Sequence, residues 1–249
     1  MKDSSLGKNF AVQIRHLDVI GDLLVFFTRG HFTNFLSQGF RDTMTSSVWN
    51  KNIDINIQNY TKEQTKKHVV SLVNWLLALQ KTQEDNGIPA RLFFRFGKPI
   101  IAGSYPEVNG YIIPSLFDYS NLFDNSDAYE SAIKLSDFEL TIQDKSNGSF
   151  PGGSIGALTG PSVFNSAQII HGLVRTYKET KNDKYLESAI KACDWIVKVQ
   201  HSDGSWGENN YRGLKRTYDT KVSQALLEAF EVTDNNSYKK PDQNKLLKF

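Results

Sequence analysis

The sequence predicts an all-α chain: an α/α toroid built of helical hairpins and incomplete in this chain, an open arc. Three observations lead there. A helix-plus-turn segment recurs three times. Each copy carries one apolar stripe at helical spacing. A second, more apolar helix lies beside each copy. The 249 residues are 39% hydrophobic, 12% aromatic and 22% charged. That composition excludes disorder, collagen-like repeats and a disulfide scaffold.

The clearest copy runs from Asp183 to Trp195 and on to Gln200 and Asp203-Gly204-Ser205-Trp206. The second runs from Asp127 to Phe138, then to Gln143 and Gly148-Ser149-Phe150. A worn third runs from Val69 to Gln80, followed by Asp85-Asn86-Gly87. Their spacing is about 56 to 63 residues, longer than common short solenoid units.

In the clearest copy, Tyr185, Ala189, Cys193, Ile196 and Val197 form one buried helical stripe, with Glu187, Lys191 and Lys198 opposite. Asp183 is the expected N-cap, because a short carboxylate accepts amide hydrogens of a first turn. Asn147-Gly148 and Asp203-Gly204 are turn signals that end the helices.

The companion helices are expected around Gly110–Tyr119, Val163–Tyr177 and Tyr218–Ala229. Their apolar content predicts burial on most faces. The unit is therefore a hairpin of an inner buried helix and an outer half-exposed one, closed by a Gly-rich loop. Residues 1–60 are expected to form an N-terminal helical segment, with helices around Phe10–Phe27 and His31–Met44. Residues 61–249 form the toroid domain, truncated at its C-terminus. An open arc leaves an apolar end, so a second copy or another partner is expected to cover it.

Charge narrows the function. Lys plus Arg is 29 and Asp plus Glu is 27, a net charge of +2 that gives no reason to expect nucleic acid. The run Leu23–Phe27 is too short for a membrane span, which needs roughly 20 apolar residues. Charges interrupt any signal-peptide core, so a cytoplasmic protein is expected. One cysteine, Cys193, excludes an internal disulfide and any multi-cysteine zinc site. No His and carboxylate spacing suggests a metal, and no cofactor is expected.

Two resemblances attach to these residues. Lys191-Ala192, Trp195-Ile196-Val197, Gln200 and Gly204-Ser205-Trp206 resemble the QW motif of class II terpene cyclases, in which a Gln and a Trp staple an outer helix to the following turn. The Asp-x-Asp-Asp run of those cyclases does not occur. Tyr105-Pro-Glu107-Val-Asn-Gly110-Tyr-Ile-Ile-Pro114, Phe150-Pro-Gly-Gly153, Pro161-Ser-Val-Phe164-Asn165-Ser-Ala-Gln168 and Thr217-Tyr218-Asp219-Thr220 resemble, in that order, the VpsJ-type exopolysaccharide-biosynthesis family. That family is often labelled prenyltransferase-like or squalene-cyclase-like. The resemblance covers about residues 64 to 238, and it implies an α/α toroid acting on a saccharide. Asp219 stands where Asn is more usual.

Aligning the starts of the inner helices groups Glu107, Asn165 and Asp219. Two carboxylates across a cavity suit glycoside cleavage. A carboxylate with Tyr105 or Tyr218 suits proton abstraction beside a uronate carboxylate. The expected catalytic residues are therefore Glu107, Asp219, Tyr218 and Tyr105. The alternative role for Glu107, Asn165 and Asp219 is helix capping. Arg91, Arg95, Asn165, Gln168, Tyr211 and Arg216 are expected to bind the sugar by stacking and bidentate pairing. His171 reads as a core residue, and Trp206 as a staple. The readings in order are a saccharide hydrolase, lyase or epimerase, a non-catalytic polysaccharide-binding or assembly module, and a terpenoid cyclase or prenyltransferase-like enzyme. An inactive fragment is a further possibility.

Overall fold

A computed structural model describes residues 61–95 and 98–239. The expected N-terminal helices and the last ten residues lie outside the described residues. Two compact units are distinguished, Met1–Val69 with Arg91–Ile101, and Val70–Ala90 with Ala102–Phe249.

Helices dominate: α1 (Lys62–Gln80), α2 (Pro106–Phe123), α3 (Ser126–Ile142), α4 (Val163–Thr180), α5 (Asp183–Lys198) and α6 (Thr220–Thr233). One antiparallel hairpin, β1 (Leu92–Arg95) with β2 (Lys98–Ile101), accompanies the helices. Aromatic and β-branched residues such as Phe93, Phe94, Ile100 and Ile101 favour extended backbone, and this run has no helical stripe to oppose it.

In the larger unit, α2, α4 and α6 pack side by side as an inner layer, and α3 and α5 each pack on the inner helix before them. This is a segment of an α/α toroid. The core fills the space between the layers. One part centres on Ile113, Leu116, Phe117 and Leu135, and the other on Ile170, Leu173, Ile196 and Leu226. Close approach of α2 and α4 depends on glycine. A Cβ on Gly110 would stand 2.3 Å from the Gln168 carbonyl oxygen.

The outer layer repeats its chemistry. Gln80, Gln143 and Gln200 donate from Nε2 to the carbonyls of Asn86 (2.8 Å), Gly148 (2.8 Å) and Gly204 (3.0 Å). Those three residues have φ of 62°, 82° and 81°, the left-handed turn that ends each copy. Gln80 also bonds Ser131 of α3, and Gln143 bonds Ser188 of α5, which staples successive outer helices. Trp206 donates from Nε1 to the Ile196 carbonyl at 3.0 Å, the staple role its position predicted.

The helix starts correct one expectation. Asn182, not Asp183, caps α5, and its side chain accepts from the Lys184 amide. Asn125 does the same for α3. In both copies the preceding residue is left-handed and ends an inner helix, so the cap falls immediately after that turn. No described helix is long and apolar enough to cross a membrane.

Candidate functional site

Each inner helix ends in a left-handed residue, Asp124, Lys181 or Asp234. Counting back from these caps aligns the helices and regroups the residues expected to be equivalent. Asn109, Ser166 and Asp219 share one level, fifteen residues before each cap. Their contacts agree. Asn109 Oδ1 accepts from the Ile88 amide at 3.0 Å, and Ser166 Oγ accepts from the Phe150 amide at 2.9 Å. Asp219 Oδ2 accepts from Asn210 Nδ2 at 2.7 Å, and Asn210 Nδ2 also donates to the Trp206 carbonyl at 2.8 Å. Ile88, Phe150 and Trp206 are the equivalent buried residues two positions after each left-handed turn. Asp219 therefore ties a turn to an inner helix, as Asn109 and Ser166 do. Glu107 aligns instead with Phe164, and Asn165 with Val108.

Asp219 is buried, and it also accepts from the Arg216 amide at 3.3 Å. Burial raises its carboxyl above the ordinary range, against the pull of Asn210 and Arg216. Its Oδ1 has no partner. Glu107 lies in the first turn of α2, where Tyr105 donates its hydroxyl to Oε2 at 3.2 Å. Burial raises the Glu107 carboxyl, and the Tyr105 bond opposes that. One turn on, Tyr111 is pushed up to about 12 by burial and then by Glu107 and Tyr105. Lys221 Nζ of α6 stands 5.7 Å from the Tyr111 ring centre.

Contrary to the expectation from their composition, the inner helices are not apolar on most faces. Each carries a polar stripe at helical spacing. On α2 it is Glu107, Tyr111 and Asp118. On α4 it is Gln168, His171 and Arg175, following Phe164. On α6 it is Lys221, Gln224 and Glu228. The stripes bond across helices. Arg175 Nη2 pairs with Asp118 at 2.7 Å. His171 Nδ1 pairs closely with Glu228 Oε2, and Gln224 Nε2 donates to Glu228 Oε1 at 3.1 Å. The His171 and Glu228 side chains are 28% and 25% exposed, so His171 is not the core residue expected. It faces the inner surface, where a carboxylate orients its ring.

Tyr218 packs edge-on against Phe164, with ring centres 4.8 Å apart. Asn165 is buried; its Oδ1 accepts from the Ser162 hydroxyl at 2.8 Å, and its Nδ2 has no partner. Gln168 is buried too, with Nε2 unpartnered. Tyr211 is 64% exposed, and the guanidinium centres of Arg212 and Arg216 lie 5.2 and 5.7 Å from its ring. Arg91 is exposed, and Arg95 lies in β1 rather than in a loop; both belong to the unit that contains β1 and β2.

Sequence reasoning missed Tyr111, Asp118, Arg175, Lys221 and Glu228. The signal was present as polar residues three, four and seven apart on helices otherwise apolar. Among the described residues, no group of three His, Cys, Asp or Glu side chains is placed to hold a metal ion.

Residues 138–246, under half of the chain, match the ulvan lyase N-terminal domain family. No curated protein sequence matches the chain. The GH76 α-mannanase of Bacteroides thetaiotaomicron is similar in structure, with a TM-score of 0.50 at 18% identity. The similarity covers 66% of this chain and 46% of the mannanase, so the chain spans less than half of that solved structure. At that identity the likeness concerns the fold, and the fold is the α/α toroid.

Proposed function

We propose that this protein acts on a polysaccharide at the polar inner face of α2, α4 and α6, as a lyase working on an acidic sugar. The acid–base set on that face carries the reading: His171 oriented by Glu228, with Tyr105, Glu107 and Tyr111 on α2. In such an elimination a base removes the proton from the carbon beside the sugar carboxylate. The carbon–oxygen bond to the neighbouring sugar then breaks, and its electrons leave with the oxygen. A carbon–carbon double bond forms, and an acid protonates the departing oxygen.

His171 suits the base, because its Nδ1 is held by Glu228, which fixes the orientation of the ring. Tyr111 is placed for the acid, one turn from Glu107 on the inner face, although its raised pKa makes it a weak one. Asn165 Nδ2 and Gln168 Nε2 are buried donors without protein acceptors, which suits them to ligand oxygens. Tyr211 with Arg212 and Arg216 offers a stacking and charged platform for further sugars. Arg91 and Arg95 are sugar contacts by their residue type alone. The match to the ulvan lyase N-terminal domain supports the class of reaction, and the likeness to an α-mannanase supports a saccharide. The setting is exopolysaccharide biosynthesis or modification, on the motif order shared with the VpsJ-type family.

Hydrolysis is the second reading, with Glu107 and Asp219 as the carboxylate pair. It is favoured by the unpartnered Asp219 Oδ1 and by burial that raises both carboxyls.

The test incubates the full chain with acidic and neutral polysaccharides while following ultraviolet absorbance of unsaturated ends and the release of reducing ends. Both should rise together with an acidic substrate. His171→Gln should slow turnover by about 10²–10⁴, the usual contribution of a positioned base. Reducing ends without absorbance would replace the lyase reading by hydrolysis. Binding without either product would leave a recognition module.

A further inference from the structure

Four residues before the staple glutamines, the outer helices carry Leu76, Glu139 and Ile196. An acid thus occupies a position that is apolar in the other two copies. Glu139 is 0% exposed, and neither of its carboxyl oxygens has a hydrogen-bond partner. No ion pair among the described residues includes it. The Asn109 side-chain amide acts on it as a donor from α2, although Asn109 Nδ2 does not reach hydrogen-bond geometry. Asp85, in the turn after α1, is the charged group that acts on it. From α4, the polar group brought to α3 is the Thr176 hydroxyl, bonded to Ser136 at 2.6 Å. From α5, Lys184 is engaged by Asp137 at 2.6 Å on the exposed face of α3.

We propose that Glu139 is held as the neutral acid and is a proton-controlled lock on turn 85–88 and on Ser104–Tyr105, the step into the helix that carries Glu107 and Tyr111.

A buried carboxylate without a counter-charge is costly enough that the group keeps its proton instead. The neutral carboxyl carries no charge to be compensated, and it can accept from the Asn109 amide as well as donate. The ionised carboxylate can only accept, and it faces Asp85 as a like charge. Both neighbours hold the lock. Asn109 accepts from the Ile88 amide, and the Tyr105 amide donates to the Ile88 carbonyl at 3.0 Å. Asp85 accepts from the Gly87 amide at 2.9 Å and from the Ser104 hydroxyl at 2.7 Å. There is no slack: a Cβ on Gly87 would meet Ser104 Cβ at 2.4 Å.

The sign follows from the raised carboxyl. In the unfolded chain Glu139 ionises near its ordinary value of about 4.3. The folded form ionises only at higher pH. Stability is whole below the unfolded value and is lost as pH rises towards the folded one.

The test compares the full chain with Glu139→Gln, which keeps the shape and cannot ionise. Tm and the amide-exchange protection of Ile88 and Tyr105, corrected for intrinsic rates, are measured between about pH 5 and 9. The difference between the two proteins removes every other titration. Protection in the wild type should fall relative to Glu139→Gln as pH rises, by about tenfold for each pH unit over which the folded protein keeps a proton that the unfolded chain has lost. Asp85→Asn should make the wild-type fall shallower, and it decides the matter alone if Glu139→Gln does not fold. Parallel curves for wild type and both variants would overturn the lock. So would a Tm gain on adding calcium at high pH that Glu139→Gln lacks, because the group would then be an ionised cation ligand. None of these readouts depends on the proposed reaction.

Discussion

The outer and inner layers of the larger unit are built on the same repeat and use it in opposite ways. The outer layer says the same thing in each copy. Gln80, Gln143 and Gln200 each close on a left-handed residue, and the first two also reach a serine of the next outer helix. The polar stripe of the inner layer does not repeat itself at matched levels. Tyr111, Gln168 and Lys221 share one level, and Asp118, Arg175 and Glu228 share another. Backbone carbonyls at each turn are the same problem three times, so they receive the same solution. A ligand has no such symmetry, so the surface that meets it has none either. Repeated residues hold the arc, and unrepeated ones are where chemistry is to be sought.

The sharpest way to break this contrast sets Trp206 against His171. Trp206→Ala should cost about 3–5 kcal/mol, because it removes a buried indole and a bond to the Ile196 carbonyl. A chemical denaturation curve reads this directly. His171→Gln removes a half-exposed ring from the inner face and should leave the midpoint within the scatter of surface substitutions, about 0.5 kcal/mol. A His171 variant as damaging as the Trp206 one would mean the inner face is structural.

Next comes the staple itself. Gln143→Ala strips partners from the Gly148 carbonyl, the Ser188 carbonyl and the Ser188 hydroxyl, all in buried contacts. A loss of about 2–3 kcal/mol is expected, since each orphaned group costs on the order of 1 kcal/mol or more. Gln200→Ala removes one described bond, to the Gly204 carbonyl, and should cost about 1 kcal/mol. Equal losses at the two positions would show that the link to the neighbouring helix contributes nothing.

The same contrast explains what the sequence made legible. The staples were readable because repetition exposes them: Gln200 and Trp206 stood at matched places beside Gln143 and Phe150. The worn copy kept its glutamine, although Trp75 is 53% exposed where Phe138 and Trp195 are buried. The inner stripe was harder. Apolar residues set the tone of α4, and Gln168, His171 and Arg175 are spread along it at intervals that a reading of overall hydropathy averages away. The equivalence of Glu107, Asn165 and Asp219 failed for a related reason. Helix starts differ in form, Pro106 in one and a 3₁₀ turn Thr217–Asp219 in another, whereas the left-handed ends are uniform. Glu139 was invisible because nothing in its neighbours along the chain marks it; only the register of the copies sets it opposite Leu76 and Ile196.

The smallest effect tests how far the outer layer's repetition extends. Tyr185 of α5 donates its hydroxyl to Asp137 of α3 at 2.9 Å, and Tyr238, in the turn Asn236–Lys239, donates to Asp194 of α5 at 2.8 Å. Asp137 and Asp194 occupy the same place six residues before their staple glutamines. In Tyr238→Phe the ring keeps its fully buried site and the hydroxyl alone is lost. Asp194 is exposed and regains water, so the loss should be that of one ordinary hydrogen bond, about 0.5–1 kcal/mol. Tyr185→Phe should cost less, because Lys184 still holds Asp137. If Tyr238→Phe leaves the midpoint unmoved while Tyr185→Phe lowers it, the tie at Tyr238 does not belong to the repeat. The ordered outer layer would then end with α5.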